Sequence, residues 1–327
     1  MRIGYKLAAE AFGPAELVAQ AAAAERAGFD FVEISDHYHP WLNTQGHSPF
    51  AFTVLGAIAE RTEKLGLATG VTCPTVRYHP AVVAQAAATT AVLSEGRFTL
   101  GLGAGERLNE HVVGDRPTTF PQSIGERHRR LREAIEIMQM LWKGGYRSYH
   151  GRYFEVADAR VFDLPEGPIP LAVAAGGAQA AKLAAESGGG LFATESKESL
   201  VRHYLAAGGE GPRYAEVPVA WAPDADEAAQ AALDGSRFMV LGWKVMSELP
   251  NPAHFEAASA WLGTDDIRAE LPCGPDPEPY LRTARAYADA GFDHLVLMNA
   301  GPDPEGFLGF YRRELDGPLR ALVPGPS

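Results

Sequence analysis

Phe31-Val32-Glu33-Ile34-Ser35-Asp36-His37-Tyr38-His39-Pro40-Trp41 and Phe98-Thr99-Leu100-Gly101-Leu102-Gly103-Ala104-Gly105-Glu106, the second running on into Arg107-Leu108-Asn109-Glu110, share one design. In each, an apolar run of strand length stops abruptly at a titratable residue. The first brings Asp36, His37 and Trp41 to its end, the second Glu106 and Asn109. A base and an acid meet in one pocket only if both strands open onto the same face, so the chemistry depends on the fold.

Outward from these two runs, strand-like and helix-like segments alternate along the chain. Arg2 to Leu7 reads as a strand and Pro14 to Ala27 as a helix, with Pro in its first turn and Gly28 just past its end. After the strand at 31–36 come a helix near 50–62, a strand from Leu65 to Val71 and a helix from Pro80 to Leu93. The strand Phe98 to Leu102 precedes a long amphipathic helix, Ile124 to Trp142. Arg152 to Val156 and Ala159 to Leu164 read as an inserted hairpin. Strands resume at Ile169–Ala174, Leu191–Ala193, Val217–Trp221 and Asp293–Met298, with a helical insertion over about 236–275 before the last.

About eight strands interleaved with helices, in the α/β class, is the order of a (β/α)8 barrel. An open doubly wound sheet is the alternative that alternation alone leaves standing. No linker or repeat divides the chain, so 1–327 reads as one domain. In a barrel the loops after the strands share one rim, and His37 and Glu106 would converge there.

The composition narrows the function. The 327 residues are 46% hydrophobic and 21% charged, enough for a sizeable core, and the net charge of −12 argues against a nucleic-acid or anionic-membrane surface. No apolar run is long enough to span a bilayer. Cys73 and Cys273 lack CxxC spacing, which points to neither a disulfide framework nor a zinc site. A soluble cytoplasmic protein acting on a small molecule is the expectation.

Each motif has a functional and a plainer reading. His37 at a strand end is a candidate general base or acid, because imidazole titrates nearest neutrality, and Trp41 a candidate wall for a flat ring or sugar face. The plainer reading is a surface loop with a buried Trp. His37 and His39 at i and i+2 also invite a metal-hydrolase reading, but the strand ends at Ala174-Ala175-Gly176-Gly177 and Met298-Asn299-Ala300-Gly301 supply no further ligand, so no metal is expected. Gly101-Leu102-Gly103-Ala104-Gly105 lacks dinucleotide-loop spacing; its glycines suit the close approach of a large planar ligand, with Glu106 at the rim. Gly176-Gly177, just before a helix starting near Ala178, can receive a phosphate on free N–H groups, or can simply be a tight turn. Lys197 in Thr194-Glu195-Ser196-Lys197 can offer a cation to an anionic substrate, though a solvated lysine is the plainer reading. Cys73 reads as a small wall residue, and Arg77 as a partner for a carboxylate or phosphate, with Tyr78 beside it.

Taken together, Ser35-Asp36-His37 with Pro40-Trp41, Cys73-Pro74-Thr75, Gly105-Glu106-Arg107-Leu108-Asn109-Glu110 and Ala174-Ala175-Gly176-Gly177 resemble the luciferase-like flavin and deazaflavin oxidoreductases, specifically the coenzyme F420-dependent glucose-6-phosphate dehydrogenase family. The resemblance extends over essentially the whole chain. It implies a TIM barrel that holds the deazaflavin at the C-terminal strand ends, with FMN as the alternative cofactor. Positions matching Asp36, Cys73, Ala104, Gly105, Asn109, Gly176, Gly177, Gln179 and Ala180 contact the cofactor, and a non-prolyl cis peptide is expected near Gly70-Val71. His37 matches the catalytic histidine, Glu106 the catalytic acid and Trp41 an active-site tryptophan. Dimers are common in the family. Of the family's phosphate-holding residues, Thr194 and Lys197 match, whereas a second lysine aligns with Ala257 and an arginine with Glu270. The expected substrate is therefore an alcohol, sugar or related compound other than glucose 6-phosphate.

Overall fold

In the computed structural model, which describes residues 1–114 and 123–325, eight parallel strands close into a barrel. In chain order the elements are β1 (Arg2–Leu7), α1 (Pro14–Ala27), β2 (Phe31–Ile34), α2 (Ala51–Arg61), β3 (Gly66–Thr69), α3 (Pro80–Leu93), β4 (Phe98–Leu102), α4 (Arg107–Glu110), α5 (Ile124–Leu141), β5 (Arg147–His150), β6 (Glu155–Ala159), β7 (Leu171–Ala174), α6 (Ala178–Glu186), β8 (Gly190–Ala193), α7 (Glu198–Ala206), β9 (Arg213–Val219), α8 (Ala225–Ser236), α9 (Trp243–Met246), α10 (Pro252–Ser259), α11 (Thr264–Glu270), α12 (Pro277–Asp289), β10 (His294–Asn299), α13 (Pro304–Phe310) and α14 (Asp316–Arg320). The barrel order is β1-β10-β9-β8-β7-β4-β3-β2, and β5 pairs with β6 in a separate two-stranded ribbon. This is the expected (β/α)8 barrel, with its extra ribbon and with the helical insertion α9–α11 before the last strand.

The α1 boundaries follow from local chemistry. Glu16 Oε2 accepts the Gly13 N–H at 2.9 Å, Pro14 occupies the first turn, and Gly28 closes the helix at φ 99°. Inside the barrel, Phe31, Tyr214 and His294 form a ring cluster, with centroids 4.6–6.1 Å apart, near the N-terminal ends of their strands. Gly4 makes room for it, because a Cβ there would lie 2.4 Å from the Phe31 ring. Above this cluster, Lys6 Nζ reaches Glu33 Oε1 at 2.7 Å and Glu216 Oε1 at 2.5 Å, and donates to Gly70 O at 2.9 Å. The interior of the barrel is thus apolar and aromatic below and ionic above.

Two expected elements depart most from the structure. The ribbon pairs 147–150 with 155–159 rather than 152–156 with 159–164. The reason lies in Glu133, whose carboxylate accepts the N–H groups of Arg152, Tyr153 and Phe154 at 2.7–3.1 Å. Those donors serve a side chain, so this segment turns instead of pairing. The strand expected at 217–221 begins earlier, at Arg213, because Asp293 accepts the Arg213 N–H at 2.8 Å and pairs with its guanidinium at 2.6 Å. Tyr214 and Glu216 then alternate into the barrel, which hides the strand from an apolar-run reading.

Candidate active site

Strands β2, β3, β4 and β7 carry the expected site residues to one rim. The segment after β2 places Asp36 and His37 there. Asp36 is buried, and its carboxylate accepts from Thr72 Oγ1 at 2.8 Å, Tyr78 Oη at 3.0 Å and Arg77 Nη2 at 3.3 Å. Arg77 also donates to Asp36 O at 2.7 Å and stacks its guanidinium 4.3 Å over the Tyr78 ring. Arg77 therefore takes the carboxylate partner that its sequence position offered, with Tyr78 beside it.

His37 and His39 diverge. His37 Nδ1 lies 2.6 Å from Glu10 Oε1, a residue three positions beyond β1. Burial opposes the imidazolium, but the charge of Glu10, with Glu106 adding to it, outweighs burial and raises His37 above its ordinary value. Glu10 responds in kind: burial would raise it, yet His37 and Lys6 hold it below the usual carboxylate range. His39 instead stacks on His111 at 5.8 Å, and its N–H is bound by Asn109 Oδ1 at 3.1 Å.

Glu106 precedes α4 and is buried beside Asn109, whose Nδ2 donates to its Oε1. The other side of that amide accepts the N–H of Tyr38 at 2.6 Å and of His39 at 3.1 Å. One asparagine thus ties the loop after β2 to the carboxylate after β4, so the two strand ends share a rim. Glu110, one turn further, is fully buried. Burial and the charge of Glu106 push it up to about 8, against the N–H of Arg77 that its Oε2 accepts at 2.8 Å.

Trp41 meets His37 edge-on at 4.8 Å and 84°. Its indole stacks on Phe238 at 5.0 Å and 15° and meets Phe255 at 5.2 Å. Leu42, Leu108 and Met246 complete this apolar cluster. The wall is therefore backed by the insertion, whose sequence had shown only helix formers.

Between these groups the loops after β3 and β4 carry a cis peptide and a close glycine approach. The Gly70–Val71 peptide is cis, at the position where the family resemblance expects one. A Cβ at Gly103 would lie 2.6 Å from Val71 Cγ2 and 3.0 Å from Cys73 Sγ, so the loops after β3 and β4 pack at glycine distance. Cys73 is buried, and burial together with Glu106 and Glu110 pushes its thiol well up, which suits a wall residue better than a nucleophile. At the end of β7, Gly176 and Gly177 are exposed, and a Cβ on Gly177 would touch nothing within 4 Å. Helix α6 begins there with no side chain capping its free N–H groups, Gln179 is exposed and Ala180 lies beneath. An uncapped nine-residue helix facing open space can receive a phosphate.

Thr194 and Lys197 follow β8 and are exposed. Lys197 Nζ pairs with Glu195 Oε2 at 2.6 Å, and Thr194 O accepts from Tyr287 Oη at 3.2 Å. Ala257 stands on the exposed side of α10. Glu270 lines a shallow cleft of about 190 Å³ with Arg268 and Arg282, between α11 and α12. Sequence reasoning missed Glu10, although Ala8-Ala9-Glu10 repeats the pattern of an apolar strand end stopping at a titratable residue.

Comparison with known proteins agrees with this geometry over the full length. The chain is 39% identical to an F420-dependent glucose-6-phosphate dehydrogenase of Rhodococcus erythropolis, covering 98% of both chains. It is 38% identical to the protein of that name from Segniliparus rotundus, covering 98% and 99%. Among solved structures, an F420-dependent secondary alcohol dehydrogenase in complex with an F420–acetone adduct superposes with a TM-score of 0.88 at 28% identity, covering 98% of each chain. The sequence model of the luciferase-like monooxygenase family matches residues 1–305. This protein belongs to the luciferase-like monooxygenase family.

Proposed function

We propose that the protein is a coenzyme F420-dependent oxidoreductase that transfers hydride between a substrate carbon, in an alcohol, sugar or related compound, and the deazaflavin, with a substrate other than glucose 6-phosphate. The observation that carries the reading is the tie through Asn109, which sets Glu106 on the same rim as the His37–Glu10 pair. When bound, the deazaflavin supplies a hydride acceptor or donor at C5. In the oxidative direction His37 takes the substrate hydroxyl proton as the carbon loses its hydride, and the Glu10 charge stabilises the imidazolium that forms. Glu106 holds or delivers the proton at N1 of the ring. Trp41, fixed by Phe238 and Phe255, excludes water from the reacting carbon.

Asp36, Gly70, Val71, Cys73, Ala104, Gly105 and Asn109 would line the ring, and Gly176, Gly177, Gln179 and Ala180 would hold the phosphate-bearing chain. Full-length relatives named for F420 favour F420 over FMN. Two observations disfavour a sugar phosphate. Lys197 is already paired with Glu195, and Trp41 is backed by apolar side chains instead of cations. Titration with F420 and with FMN, followed by a screen of alcohols, sugar phosphates and enones for F420 turnover, tests the reading.

The protein is further proposed to be a single-domain cytoplasmic homodimer. Helix α3 carries no charged residue and exposes Val82, Val92 and Leu93 beside Gln85 and Thr89, an uncharged face suited to a second copy. Both cysteines are free, which fits a reducing compartment. No helix among the described residues is long and apolar enough to cross a membrane.

A further inference from the structure

The segment between α8 and α10 is moored at three places around the barrel mouth. At one end Phe238 stacks on Trp41. At the other, Ser247 O accepts the Arg107 N–H at 3.0 Å and Glu248 Oε1 accepts from Arg127 at 2.8 Å. Between them stands Trp243 on α9, whose Cδ1 lies 4.0 Å from where a Gly176 Cβ would be. One continuous strap therefore passes from the end of β2 to the turn after β7 and on to α4 and α5.

Trp243 is 48% exposed and makes no ring contact among the described residues. A large aromatic left half open forgoes hydrophobic stabilisation that a ligand can restore. Its mooring also means that little chain freedom remains to be lost when a ligand arrives.

We propose that Trp243 is a cofactor-binding residue whose indole packs on the phosphate-bearing chain of the cofactor where it crosses Gly176–Gly177. In that position it covers the uncapped start of α6 and keeps water from competing for the N–H groups that hold the phosphate. The contact extends the proposed cofactor site and rests on that reading.

The test is equilibrium titration of F420 into the wild-type protein and into Trp243→Ala, Trp243→Phe and Val245→Ala, followed by deazaflavin fluorescence, with thermal unfolding of each variant alongside. Trp243→Ala is expected to raise Kd about fivefold or more, the size of one lost aromatic contact. Trp243→Phe should stay within about twofold of wild type, and so should Val245→Ala, which trims apolar surface of the same four-residue helix. Unchanged affinity in Trp243→Ala, or equal weakening in Val245→Ala, would overturn the assignment. A wild-type protein that ignores F420 but binds FMN would instead overturn the F420 reading. The same variants titrated with FMN then decide the Trp243 contact separately, because the ribityl phosphate is common to both cofactors.

Discussion

His37 Nδ1 and Glu10 Oε1 approach to 2.6 Å at the mouth of the barrel, joining the loop after β1 to the loop after β2. A strand-end imidazole thereby gains a buried counter-charge, and both groups favour their charged forms against burial. The pair makes His37 a stronger base than a free histidine, at the position proposed to take the substrate proton.

Replacing Glu10 by Gln removes the charge while keeping the size. The His37 titration, read by NMR of labelled histidine, should lie above 6.5 in the wild-type protein and fall in the variant, because burial alone lowers it. An unmoved midpoint would mean that Glu10 does not govern the imidazole.

The same pair fixes a pH window for stability. His37 is raised from 6.5, so its contribution is complete below that value and fades as pH climbs through the higher native pKa. Glu10 is lowered from 4.5, so its contribution is present above that value and fades as pH falls through the lower native pKa. The stability difference between wild type and Glu10→Gln should peak between these limits, at about 1–3 kcal/mol, and shrink on either side in urea titrations.

Glu110 behaves in the opposite sense. Its carboxyl is raised from 4.5 to about 8, so ionising it costs stability increasingly across that range. Glu110→Gln keeps an acceptor for the Arg77 N–H and should gain on wild type by about 1–3 kcal/mol between pH 5 and pH 8. A constant difference across that interval would show that Glu110 is already ionised when buried.

Inside the barrel, Lys6→Met leaves the buried Glu33 and the half-buried Glu216 without their cation and should cost about 3–5 kcal/mol. Replacing all three by apolar residues should recover most of that loss in chemical denaturation. If the triple variant is no more stable than the single one, the charge balance is not what holds this layer.

Much of the barrel was legible because strand ends, Pro-led helices and glycine stops recur in chain order. α1, α3 and β4 fall at their expected bounds. The ribbon and β9 did not, because Glu133 and Asp293 capture backbone donors from a distance that local pattern does not report. At the site, the positions of His37, Glu106 and the Gly176–Gly177 turn could be anticipated as strand ends. Glu10 was hidden because its role exists only once β1 and β2 lie side by side. The backing of Trp41 was hidden too: Phe238 and Phe255 lie some two hundred residues away and meet it only in the folded chain.

The central claim is tested most directly by mixing the purified protein with F420 and a panel containing secondary alcohols and glucose 6-phosphate, and following the bleaching of the oxidised deazaflavin band in wild type and in His37→Ala. The account predicts bleaching with an alcohol, little with glucose 6-phosphate, and a loss of about a hundredfold or more in the variant. Glucose 6-phosphate as the best substrate, or a His37→Ala protein turning over as fast as wild type, would contradict it.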